Sequence, residues 1–325
     1  GSTSSANTPI TASFAQGKIQ VDSIENEAGN ITANGGVDLT VTESLNNTAT
    51  LNLNILDVKG DYIRNQGVLS ATTLTAQVEN VDNNIGNIYS QNADIQVQQL
   101  NNQAGVIQAQ NRLNLNVQNF LNNKAGQITA INLINIFDNN QNTLTIDNTQ
   151  AGKILSTGDI RLQSKKLQHT DQSALAANQD IHLKQQDTLE VDSAVQAGRD
   201  LVIENQSDIV NNTTLEAGQA LKLSAQNIQN TVQGQIQANQ QVQLLVQEKI
   251  ANTGLINSQG LTLLDAKNEI QNIGTGQIYG DHIALQTAHL LNAEQQTNGG
   301  VKAGTIAARQ RLDIAGGKIE NREQA

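Results

Sequence analysis

Over most of the chain, aliphatic residues alternate one by one with polar ones, as in Arg112-Leu113-Asn114-Leu115-Asn116-Val117 and Gln241-Val242-Gln243-Leu244-Leu245-Val246. A period of two sends neighbouring side chains to opposite faces, which is the pattern of a half-buried strand. Shorter stretches of the same kind follow a glycine: Gly105-Val106-Ile107-Gln108-Ala109 is answered by Gly126-Gln127-Ile128-Thr129-Ala130. A third kind ends on asparagine with an aliphatic residue two positions earlier, as in Leu100/Asn102 and Leu121/Asn123. No helical periodicity is sustained over three turns. One unit therefore offers three short strands and three turns.

The asparagine marker falls at Asn26, Asn47, Asn65, Asn83, Asn102 and Asn123, and again at Asn211, Asn230, Asn252 and Asn272, with Asn148, Asn292 and Asn321 following the same rule. Most successive positions are 18 to 22 residues apart, and His169 stands in the asparagine slot after Leu167. Roughly sixteen units of ~20 residues fit a chain of this length. A unit that small cannot bury its apolar face alone, because about five inward aliphatics do not offset the entropy of ordering its backbone. Stacking like units removes the deficit. The predicted fold is all-β, a parallel β-helix with one strand per face per turn, right-handed by the usual preference of parallel crossovers. The glycine before each short strand is expected to sit at positive φ, and asparagine at the other corner to tolerate that region too. Stacked asparagine side chains are expected to bond to one another and to nearby backbone.

Composition narrows the function. With 19 Lys+Arg against 30 Asp+Glu the formal charge is -11, which repels a phosphate backbone, so nucleic acid is not an expected partner. No cysteine is present, which excludes disulfides and Cys-ligated metal and suits an oxidising destination. No apolar run approaches the ~18 residues of a spanning helix. The opening GSTSS reads as a cloning scar, residues 1–10 as a leader, and residues 11–325 as one uninterrupted array belonging to a longer filament, a monomer by expectation.

The G-x-I-x-A, L-x-L and L-x-N phrases at this spacing resemble the repeats of filamentous haemagglutinin and of contact-dependent growth inhibition exoproteins, from about Gly17 to Asn321. Ala197-Gly198-Arg199-Asp200-Leu201-Val202-Ile203, echoed by Gly158-Asp159-Ile160-Arg161-Leu162, is another phrase of that kind. The resemblance implies a secreted cell-surface filament, exported by two-partner secretion through a dedicated outer-membrane transporter. It also implies a receptor on a host or neighbouring bacterial cell as a further partner, and a role in adhesion or toxin delivery.

Two other classes were weighed on particular residues. A β-helical carbohydrate-active enzyme needs converging carboxylates; Asp159, Asp180 and Asp200 are 21 and 20 residues apart and would stack in a column, which turn capping explains equally. His169, His182, His282 and His289 show no metal spacing. Neither a catalytic residue, a cofactor nor a metal is therefore expected. A receptor-binding module would use the two places where the rhythm breaks, residues 131–147 and 293–303, which should emerge as loops. Tyr89, Phe137 and Tyr279 are the candidate contacts for such a partner.

Overall fold

A computed structural model describes residues 11–322 apart from 15–16, 34–36, 140, 171 and 298, so the leader expected over residues 1–10 lies outside the described residues. Among these residues every regular element is a strand. The chain divides into two compact units, Gly1–Ser156 and Thr157–Ala325.

In the first unit each strand lies parallel to the strand one coil later, and the alternating pattern becomes columns of inward side chains. Leu51, Leu69, Ile88, Ile107, Ile128 and Ile154 hold matching register positions, and each is at most 1 % exposed. Each such burial contributes ~1.5–3 kcal/mol, but only because a neighbouring coil covers it. The second unit is built alike: Leu183, Ile203, Leu223, Leu244, Leu264 and Leu285 form one of its columns. Counted between successive asparagine-slot positions, Asn26 to Asn148 spans six turns and His169 to Asn321 seven, about 13 rather than sixteen. Division by twenty overcounts because the chain ends fall outside those turns, two of the turns are lengthened by insertions, and the step from Asn148 to His169 is not among them.

The strands are not uniform. In the first unit Thr50–Asn65, Val68–Asp82, Asn87–Asn101 and Val106–Asn122 run for 15 to 17 residues. They stay extended through corners at which the register shifts, for example between Ser90/Asn92 and Val97/Gln99. In the second unit, from Asp159 to Ala217, the coils instead break into separate strands of 3 to 5 residues, such as Ile181–Gln185, Leu189–Val191 and Val195–Ala197.

The expected role of the glycines needs correction. Positive φ falls on the residue before the glycine, at Ile85, Ala104, Ala125 and Ala151. What demands glycine is close approach: a Cβ on Gly86, Gly105 or Gly126 would stand 2.0–2.1 Å from the backbone oxygen of Asn65, Asn83 or Asn102 in the coil before. The asparagines that take positive φ are Asn139 and Asn142, in an insertion, and none of the asparagines in the repeat marker.

Both expected loops are also corrected. Within 131–147, Leu133–Phe137 pairs with residues 112–116 and Thr145–Asp147 with 120–122, leaving residues 138–144 as the excess. At its start Asp138 is buried, and its Oδ2 accepts the N–H groups of Thr143 at 2.8 Å and Leu144 at 3.2 Å. Residues 293–303 form a hairpin, in which Glu294–Thr297 pairs antiparallel with Gly300–Ala303. Surplus residues with no strand of a neighbouring coil to meet satisfy their backbone on one another.

Candidate functional site

The most ordered polar feature is a chain of buried amides. In the first unit the Nδ2 of Asn26, Asn47, Asn65, Asn83, Asn102 and Asn123 each donates to Oδ1 of the next asparagine in the series, ending on Asn148, at 2.7–2.8 Å. From Asn47 to Asn148 the members are fully buried. Most Nδ2 atoms give their second proton to a backbone carbonyl, as Asn65 does to Asn87 at 3.0 Å and Asn83 to Val106 at 3.0 Å. Since a carbonyl only accepts, this fixes which end of each amide carries nitrogen. All the dipoles then point the same way, and each bond polarises the next.

The second unit carries the same series from Asn211 through Asn230, Asn252, Asn272 and Asn292 to Asn321, at 2.7–2.8 Å. Before Asn211 it is interrupted. Asn211 stands in register with Val191, and Val191 with His169. Valine has no donor to give, and Asn211 Oδ1 is buried without a hydrogen bond. His169 is 1 % exposed, with Nε2 facing the Ala194 carbonyl at 3.2 Å. Burial lowers its pKa, against the opposing pull of that carbonyl and of Asp192. The Val191 gap has a sequence signal: Leu189-Glu190-Val191 is L-x-V where the rhythm asks for L-x-N.

The aspartate column is a set of backbone caps. Asp159 Oδ1 accepts the N–H of Asp180 and Asp180 Oδ1 that of Asp200, both at 3.2 Å, and Asp200 Oδ1 accepts that of Ala220 at 3.1 Å. Arg199 donates to Asp180 from Nε at 3.1 Å and Nη2 at 2.6 Å, and this bond raises the guanidinium pKa further, with the fields of Asp180, Asp159 and Asp200 adding to it. Here side chains accept strand N–H groups of the next coil. The remaining histidines meet single carboxylates or pairs: His182 lies 3.7 Å from Glu204, His282 2.7 Å from Asp313, and His289 between Glu269 at 3.2 Å and Glu320 at 2.9 Å. Among the described residues no three His, Asp or Glu side chains are grouped so as to hold a metal ion.

The aromatic candidates differ in setting. Tyr89 is 37 % exposed on the outer side of its strand. Phe137, at the end of Leu133–Phe137, and Tyr279 are half-buried.

Tandem parallel coils with inward aliphatic columns and stacked internal amides define a β-solenoid repeat protein. The model of the haemagglutinin repeat matches residues 10–77, 49–97, 80–136, 138–191, 170–232, 221–274 and 272–322, and the chain belongs to that family. Repeats of this family are typical of secreted, surface-associated adhesins. No curated protein and no solved structure matches the chain. No helix among the described residues is long and apolar enough to cross a membrane.

Proposed function

We propose that the chain is a non-catalytic stalk segment of a large secreted bacterial surface protein, an adhesin or a toxin-delivery protein, whose coils hold a distal module away from the cell. The observation that supports this reading is the sameness of the coils: a single register rule relates each coil to the next within each unit, and the family matches recur along the whole chain. Reach is then a matter of geometry, since each coil adds ~4.8 Å to its stack. A chain without cysteine suits export in an unfolded state through an outer-membrane transporter, followed by folding outside. The aspartates serve the backbone, which favours a structural role over hydrolysis of a glycan.

The test is removal of whole coils. Deleting residues 84–123 joins Asn83 to Lys124 in register and takes out two turns of the first unit. The chain has no cysteine, so Glu43→Cys and Lys153→Cys provide unique spin-label sites on either side. The stalk reading expects a folded protein whose label separation shrinks by about 10 Å. Loss of folding, or an unchanged separation, counts against it.

A further inference from the structure

We propose that an outer groove of the first unit, crossing four coils beside Tyr89, binds a neutral oligosaccharide. The groove has a volume of about 440 Å³. Asn52, Ser70, Tyr89 and Gln108 follow one another in register along it, one from each coil, while Gln91 and Gln110 line its other side. None of its ten lining residues carries a charge, in a protein of net charge -11.

Three features select the ligand class. Hydroxyl and amide side chains each offer both donor and acceptor, which suits the vicinal hydroxyls of a sugar and gives nothing to the charge of a nucleic acid or sulfated glycan. The exposed part of the Tyr89 ring supplies the apolar face on which the C–H side of a pyranose stacks. Moreover the coil step of ~4.8 Å is close to the advance of one residue in an extended β-linked glycan. Successive sugars therefore meet in-register positions on successive coils, with Tyr89 the one aromatic among them.

Saturation-transfer NMR on the full chain tests this with cellotetraose, xylotetraose and N-acetylchitotetraose as neutral probes and a heparin tetrasaccharide as the anionic one. Transfer to at least one neutral probe is expected, with affinity rising from disaccharide to tetrasaccharide and levelling off beyond the four coils. Tyr89→Ala is expected to weaken binding at least about tenfold, while Tyr279→Ala leaves it unchanged. Absence of transfer to every neutral probe, preference for the heparin probe, or undiminished binding in Tyr89→Ala each overturns the proposal. Its failure leaves the stalk reading untouched, since that reading rests on coil repetition alone.

Discussion

Two stretches solve the same packing problem differently. From Asn47 to Asn123 the first unit has an unbroken buried amide chain beside strands of 15 to 17 residues. From His169 to Asn211 the second unit has histidine and valine in the corresponding slots, strands of 3 to 5 residues, and aspartates that cap the corners. Both keep the aliphatic columns buried. The comparison separates two contributions: stacked aliphatics specify the coil, and the amide chain adds a continuous, fully satisfied polar seam. Where the seam is missing its next member is left unsatisfied, Asn211 Oδ1 being buried without a donor, whereas the Oδ1 of each asparagine from Asn47 to Asn148 accepts a bond. That stretch should open first.

The largest effect is expected from breaking the intact seam. Asn102→Ala leaves Asn123 Oδ1 and the Gln127 carbonyl without their donor and opens a void; a loss of about 3–5 kcal/mol is expected, read from urea denaturation followed by circular dichroism. Gly105→Ala drives a Cβ to 2.1 Å from the Asn83 carbonyl oxygen, backbone that cannot step aside. About 2–4 kcal/mol should be lost there, against ~0.5 or less for Gly299→Ala, whose Cβ meets only Thr297 Oγ1 at 3.9 Å.

The interrupted stretch should also respond to pH. His169 is held neutral by burial, with its folded pKa below the usual 6.5. As pH falls through about 6.5 the unfolded chain takes up a proton that the folded one refuses, so stability declines until the folded pKa is passed. Protection factors at Lys166–Gln168 and Leu189–Val191, that is intrinsic over observed exchange rate at each pH, should fall between about pH 7 and pH 5, and His169→Asn should remove the dependence. Little net change is expected from Val191→Asn. The new amide supplies a donor to Asn211 Oδ1 while giving up buried apolar surface, so the denaturation midpoint should correspond to a change within ~1 kcal/mol. A loss as large as that of Asn102→Ala would show that the two stretches do not differ in the way described.

Strand alternation, coil length and the identity of the inward columns were legible in the sequence, because a period of two encodes inside and outside directly. The reason for glycine was not. Positive φ and close approach both select glycine, and only the placement of the Asn65, Asn83 and Asn102 carbonyls against Gly86, Gly105 and Gly126 distinguishes them. Val191 leaves only the weak signal of L-x-V where the rhythm asks for L-x-N, because an aliphatic residue in that slot looks like one more strand position. Spacing likewise revealed the surplus near 131–147 and 293–303, yet whether surplus residues rejoin the coil or pair with themselves depends on partners that no local pattern carries. The groove beside Tyr89 arises from side chains about 19 residues apart, which only the register brings together.

Residue-resolved hydrogen exchange of the full chain at neutral pH tests the central claim most directly. Amides of Asn87–Asn101 and Val106–Asn122 should exchange much more slowly than those of Ile181–Gln185 and Leu189–Val191. Equal protection in the two stretches, or slower exchange around Val191, would contradict the claim that a continuous buried amide seam is what makes these coils hardest to open.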